Sequence, residues 1–294
     1  MVPMTPFSRD PILLDAAAAA ACVAGRPATA LERMTVCAVV PARDEAPCIA
    51  AVVHGLLAQR TAAGERLVDE VLVADNGSSD STAAVALAAG ARVISVPQRG
   101  YGQACWQGVQ SSDCEVLLFI DGDGAANPDE AGRVLVGIAR GADLVIGVRE
   151  RVEPGAMSLT QRFGNRLACV LMQRIWRMPT QDLGPYRAIR RDAFDALDLR
   201  DRSFGWTVEM QVRAHVLGLQ VLEVPVTWHA RRAGVSKISG TLRGVFGAGF
   251  GILGMIARLW WRERERQSQS PSQNQSQKRI RPLPTDPAKP VAKA

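Results

Sequence analysis

Two aspartates one residue apart, Asp121 and Asp123, follow the apolar pentapeptide Val116-Leu117-Leu118-Phe119-Ile120. In an extended segment, carboxylates at i and i+2 point the same way, so both can face one hard cation. Magnesium or manganese held there would bridge the chain to a diphosphate and stabilise the charge that develops as a nucleotide departs. Gly122 between them lets a ligand come close to the backbone. Such triplets are common in surface turns. What singles this one out is the apolar run ahead of it, which reads as a buried strand ending at the first carboxylate.

Other polar clusters recur at comparable places. Asp75-Asn76-Gly77-Ser78 follows a second apolar run; an acid there can accept hydrogen bonds from a base or a ribose hydroxyl, while Asn-Gly also makes an ordinary turn. Arg99-Gly100-Tyr101-Gly102 sets a cation in a glycine-rich loop after a third run. Arg231-Arg232-Ala233-Gly234-Val235-Ser236-Lys237 is strongly basic: arginine offers bidentate phosphate contacts, lysine a mobile charge, and Gly234 lets the loop wrap closely. Read blandly, the same segment is a solvated turn.

The elements that must position these residues alternate. Short apolar runs at 36–40, 68–74, 91–96, 116–120 and 143–147 read as strands, separated by helical stretches at about 48–63, 79–89, 103–111 and 129–140. Single helices between strands imply right-handed βαβ units, an α/β fold with a mostly parallel, doubly wound sheet and helices on both faces. Ligands bind such sheets outside the carboxyl ends of the strands. Arg43-Asp44-Glu45, Asp75-Asn76-Gly77-Ser78 and Asp121-Gly122-Asp123 all fall there. Beyond residue 150 the spacing predicts helices over 159–176 and 206–217 and a strand over 221–228.

At 294 residues and 47% hydrophobic, the chain can bury one large core or two modest ones. Its net charge is +6, but residues 262–294 hold eight Lys/Arg against three Asp/Glu, so +5 lies in the tail. A nearly neutral body argues against a nucleic-acid-binding core. Six scattered cysteines without a C-x-x-C pair read as reduced, small buried hydrophobes. The run Ala16–Ala21 follows Asp10 and Asp15 rather than a basic segment and does not resemble a secretory signal. The expected organisation is an extension over 1–33, a catalytic domain over 34–240, an apolar or amphipathic helix over 241–266 and a disordered basic tail over 267–294.

Together these motifs resemble family 2 glycosyltransferases of the GT-A fold, over about residues 34–240. Val39-Val40-Pro41-Ala42-Arg43-Asp44-Glu45 looks like the family's opening motif, Asp75 to Thr82 is similar to its nucleotide loop, and Asp121-Gly122-Asp123 stands where its metal-binding triplet stands. The resemblance implies donor binding by Pro41, Arg43, Glu45, Asp75, Asn76, Arg99 and Asp121, metal binding by Asp121 and Asp123, and a UDP- or GDP-linked sugar as donor. Asn76 stands where the family usually has a second Asp. Gly147-Val148-Arg149, Arg162-Phe163-Gly164-Asn165 and the Arg231–Lys237 loop look most like the polyprenyl-phosphate mannose and glucose synthase branch. That likeness implies phosphate binding by Arg149, Arg231, Ser236 and Lys237. Gly124-Ala125 replace the Leu-Gln usual in the mannose synthases.

The acceptor turns on a base. A sugar hydroxyl must lose a proton as it attacks and wants a carboxylate; a lipid monophosphate is already an anion and wants cations. Asp182 lies where many inverting members carry their base, and Glu209 is a second candidate; either can instead cap a helix or pair with Arg187 or Arg213. The basic loop favours a polyprenyl phosphate, while Asp182 keeps a hydroxyl of a lipid or glycan open. Gly244–Trp261, with a stripe of Phe246, Phe250, Leu253, Ala257 and Trp260 among arginines, reads as a helix lying in a membrane interface or as a core or dimer helix. The interfacial reading places the enzyme in the cytoplasm, peripheral on the inner face of the membrane. Nucleotidyl transfer, or nucleotide-sugar binding without transfer, is the reading from another class; the stretch after strand one lacks the Gly-rich basic loop that nucleotidyltransferases carry there.

Overall fold

The computed structural model describes residues 34–231 and 242–269. The extension over 1–33, Ser236 and Lys237 of the basic loop, and the tail from residue 270 lie outside the described residues. Seven strands form one sheet: β1 Val36–Ala42, β2 Glu70–Asp75, β3 Arg92–Ser95, β4 Val116–Phe119, β5 Leu144–Val152, β6 Arg187–Arg190 and β7 Val221–Trp228. Their order is β3-β2-β1-β4-β6-β5-β7, with β6 antiparallel to both its neighbours and every other pairing parallel. The helices are α1 Ala46–Ala58, α2 Thr82–Ala88, α3 Tyr101–Gln110, α4 Ala131–Ala139, α5 Leu159–Trp176, α6 Arg191–Leu197, α7 Trp206–Val216 and α8 Leu242–Gln269. This is the expected mostly parallel α/β sheet, a GT-A fold.

The strands read as apolar runs because both faces of the sheet are covered. Val36, Ala38 and Val40 of β1 join a cluster with Ile49, Val53, Leu135 and Ile138 of α1 and α4. Cys37 and Val39 point the other way, into a cluster with Cys105 and Val109 of α3 and Trp206 and Met210 of α7. In that second layer Phe119, Phe194 and Trp206 form an aromatic triad with centroids 5.8–6.3 Å apart. A third cluster joins α5, α7 and α8 through Met172, Val212, Met255, Ile256 and Leu259.

Several boundaries have local causes. Ser158 and Gln161 form a capping box: Gln161 N donates to Ser158 Oγ (3.2 Å) and Ser158 N to Gln161 Oε1 (2.9 Å), which starts α5 at Leu159. Gly100, at φ 148°, precedes α3 where a Cβ would collide with the Arg202 carbonyl. Of the stripe expected on the last helix, Leu253 and Trp260 do not belong to its inward face. Met255, Ile256 and Leu259 pack inward, while Leu253, Trp260 and Trp261 are 37%, 36% and 61% exposed. The helix also continues to Gln269, past the expected start of the tail at residue 267.

Candidate active site

The parallel strands β1, β2, β3 and β4 deliver their carboxyl ends to one rim, and hydrogen bonds tie the three polar clusters there together. Asp44 N donates to Ser78 Oγ (2.9 Å), Ser79 N to Asp44 Oδ1 (2.6 Å), and Glu45 N to Thr82 Oγ1 (2.8 Å). Asp44 takes φ 50°, a left-handed conformation that its short side chain supports through these local bonds. Asp75 Oδ1 accepts from Ser78 N (3.2 Å) and from the Ser78 hydroxyl. Asn76 is buried, and its side chain is spent on structure: Nδ2 donates to Val96 O (3.0 Å) and Gln98 O (2.7 Å), and Oδ1 accepts from Gly100 N (2.9 Å). Pro41 and Arg43 sit on the same rim, Arg43 Nε 3.6 Å from Asp44. Arg99 lies over Gly77, about van der Waals distance from where a Cβ would be.

Asp121 and Asp123 follow β4 in a turn, with Gly124 at φ 71°, rather than in the extended segment the spacing suggested. Gly122 serves packing: its missing Cβ would point at Ile49, Ala42 and Val40 beneath the sheet end, not into the crevice. Asp123 is buried, with Oδ1 accepting from Ala125 N (2.9 Å) and Oδ2 paired to Arg231 Nη2 at 2.8 Å. Arg231 Nη1 reaches buried Glu45 Oε1 at 3.3 Å, so one guanidinium joins the β1 and β4 clusters. Asp121 Oδ1 is buried without a hydrogen-bond partner among the described residues. Burial, then the charge of Asp123, pushes the Asp121 carboxyl up to about 7; the Tyr101 hydroxyl, Arg231 and Arg149 pull the other way.

An unpartnered buried oxygen beside a second carboxylate is a site short of positive charge, which fits a divalent ion. Among the described residues no cluster of three or more His, Cys, Asp and Glu side chains surrounds it. Two carboxylates with substrate oxygens completing the shell is the arrangement magnesium favours.

Beyond the aspartates, Arg149 leaves β5 and meets Asp182. Arg149 N and Nε each donate to Oδ2 at 2.8 Å, and Nη2 donates to Oδ1 at 2.5 Å. Burial opposes the charge of Arg149, but the bonds to Asp182 outweigh it and raise its pKa. Its guanidinium also stands 5.3 Å over the Trp228 ring. The pair lines a cavity of about 650 Å³ whose walls carry Arg162, Asn165, Arg166 and Gln173 from one face of α5. Neither acid makes the ion pair expected of it, though Glu209 does take a structural role: Asp182 pairs with Arg149 rather than Arg187. Glu209 Oε2 instead accepts from Arg200 N (2.9 Å) and Asp201 N (2.7 Å), deep in the core.

Residues 37–198 match the family Glycosyl transferase family 2. The chain belongs to that family. It is 36% identical over 173 residues to a glycosyltransferase of Mycobacterium bovis, covering 59% of this chain and 79% of the relative. It is 35% identical over 191 residues to the undecaprenyl-phosphate mannosyltransferase of Micrococcus luteus (60% and 78% covered). Glucosyl-3-phosphoglycerate synthase from Mycobacterium tuberculosis, solved with Mn2+, UDP and glucosyl-3-phosphoglycerate, superposes with a TM-score of 0.63 at 22% identity, over 79% of this chain and 84% of the other. This family 2 member is therefore a glycosyltransferase.

Sequence reasoning gave no role to Tyr101 or His229 of this glycosyltransferase. His229 N donates to Ala125 O (2.7 Å) and its ring bonds Glu153 (2.7 Å), holding the stretch between β7 and Arg231 against the aspartate turn. Only the alternating pattern of β7 running into that basic loop hinted at it. For Asp121, raised well above the ordinary carboxylate value near 3.9, the sign of the pH effect follows. The unfolded chain loses this proton near pH 4 and the folded one near 7, so metal-free stability falls as pH rises between them. Asp121→Asn removes that loss. In chelator, its melting temperature should exceed that of the wild type by a few degrees at pH 8 and by much less at pH 4.5. An equal difference at both values would count against the buried-charge account.

Proposed function

We propose that this glycosyltransferase moves a sugar from a nucleotide-sugar donor to a polyprenyl phosphate, with inversion. The observation that carries the reading is the cavity lined by Arg149, Arg162 and Arg166, in which Asp182 is already committed to Arg149 and from which Arg149 also acts on the charge of Asp121. Such a wall suits an acceptor that arrives as an anion and needs no base. The name of the Micrococcus luteus relative points the same way.

In this scheme Pro41, Arg43, Glu45, Asp75, Asn76 and Arg99 shape the donor side of the rim. Asp121 and Asp123 would hold Mg2+ or Mn2+, as the metal and UDP bound in the Mycobacterium tuberculosis structure suggest. Bound there, the ion supplies charge to the departing diphosphate. Arg149, with Arg162 and Arg166, seats the acceptor phosphate; one of its oxygens attacks the anomeric carbon as the bond to the diphosphate breaks. Arg231, with Ser236 and Lys237, steadies the phosphates. No described helix is long and apolar enough to cross a membrane. The exposed Leu253, Trp260 and Trp261 among Arg258, Arg262 and Arg264 suit a helix resting on an anionic surface, on the inner face of the membrane where lipid acceptors are held.

Labelled UDP-glucose and GDP-mannose, each supplied with Mg2+ and a polyprenyl phosphate, test this directly. Label from one donor is expected in the organic extract. Label that stays aqueous while nucleotide is released, or that passes instead to phosphoglyceric acid offered in place of the lipid, would overturn the lipid acceptor.

A further inference from the structure

We infer that Arg231 competes with the metal for Asp123 Oδ2 and must leave that oxygen before the ion binds. The inference rests on the metal reading above and adds an order of events to it.

The geometry around Asp123 is restrictive. Oδ1 accepts the Ala125 amide, which shapes the turn, so Oδ2 is the oxygen left for an ion. That is the oxygen Arg231 Nη2 holds at 2.8 Å. The same guanidinium holds Glu45 at 3.3 Å, so it neutralises two buried acids at once. One guanidinium placed between two buried acids offsets part of the cost of burying them. The second oxygen an ion would need, Asp121 Oδ1, is buried and already unpartnered. One of the two ligands is thus waiting and the other is covered.

Arg231 also ends the described stretch that follows β7. His229 N to Ala125 O and Ala230 N to Glu153 Oε2 (3.0 Å) pin the residues just before it. The backbone is therefore anchored up to Ala230, and the exchange falls to the Arg231 side chain, whose relative exposure of 30% gives it room to turn. A diphosphate entering the rim offers Arg231 a better partner than Asp123, because it presents several charged oxygens to a bidentate donor. Metal and nucleotide then favour each other through one side chain: the diphosphate draws Arg231 away, and Asp123 Oδ2 passes to the ion. The ion on its own must compete with the guanidinium and binds weakly.

The test is Mn2+ binding alone, without nucleotide, followed by its electron paramagnetic resonance signal at pH 8. Arg231→Gln should bind Mn2+ at least about tenfold more tightly than the wild type, the release expected when a charged hydrogen bond stops competing. Arg231→Lys, which reaches one acid rather than two, should fall between them. Glu45→Gln loosens Arg231 from its other side and leaves both aspartates in place, so it too should tighten Mn2+ binding, by a smaller factor. Adding UDP should strengthen Mn2+ binding more in the wild type than in Arg231→Gln. Equal or weaker Mn2+ binding by both Arg231→Gln and Glu45→Gln, with the wild type still binding, would overturn the exchange and spare the metal site. No Mn2+ binding by any of the proteins, with or without UDP, would overturn the metal reading and the inference with it.

Discussion

Asp123→Asn is expected to lower sugar transfer by about a thousandfold while the protein keeps its fold. Asparagine preserves the oxygen that accepts the Ala125 amide, so the turn after β4 survives. Arg231 loses one acid but keeps Glu45, so no guanidinium is left without a partner. The structural cost should stay small, because the turn keeps its bond and Arg231 keeps a charged partner. What goes is the charged oxygen offered to a divalent ion, and with it much of the stabilisation of the departing diphosphate, for which a loss of about 10²–10³ or more is the usual scale. A thermal melt close to that of the wild type, together with lost Mn2+ binding in the presence of UDP, would locate the defect in the site. Near-normal transfer by a protein that binds no metal would remove Asp123 from the chemistry.

The parallel half of the molecule could be read from the chain because its signals are local. β1, β4 and the centre of β2 are apolar runs buried on both faces, while β3 at the sheet edge carries only Val93 and Ile94, half-buried; each hands its polar cluster to the same rim. The helix from Leu159 to Trp176 and the strand from Val221 to Trp228 also lie where periodicity puts them. What the sequence hid was β6 with α6. Arg187-Ala188-Ile189-Arg190 is four residues long and charged at both ends, so neither alternation nor an apolar run marks it. The burial of Arg187 is explained by carbonyls that no sequence pattern announces: Nε donates to Gly184 O just upstream (3.1 Å) and Nη1 to the distant Thr207 O (3.2 Å). Burial lowers its pKa to about 10, and it remains charged.

The site divides along the same line. Asp121 and Asp123 announce themselves by spacing, whereas the partners that define their roles are distant in sequence. Arg231 is more than a hundred residues from Asp123, and nothing in the basic loop shows that its first arginine turns back onto an acid. Asn76 shows the converse. It departs from the family's usual residue in a loop named for its ligand, and its amide serves both as donor and acceptor to the neighbouring loop, a pair of tasks a carboxylate cannot perform.

Asp182 is where the two acceptor readings part, and its expected behaviour follows from its lone pairs. A general base needs an oxygen free to take a proton from the attacking group. Both oxygens of Asp182 face Arg149, through Nε, Nη2 and the backbone amide, and a guanidinium does not give up its proton. On the proposed reading, Asp182 acts by holding Arg149 against the cavity, and Arg149 acts on the acceptor. Asp182→Asn should raise the KM for polyprenyl phosphate about tenfold or more, change kcat by less than about tenfold, and leave the shape of the pH–rate profile intact. A base would instead lose about 10²–10⁴ in kcat and the acid limb of the profile. Arg149→Met should go further and remove acceptor binding. It also strands a carboxylate only 4% exposed, at a cost of about 3–5 kcal/mol. Combining Arg149→Met with Asp182→Asn separates the two effects: stability should return, since no buried charge is left unpaired, while acceptor binding stays lost. Recovery of both together would mean that the arginine serves the fold rather than the phosphate.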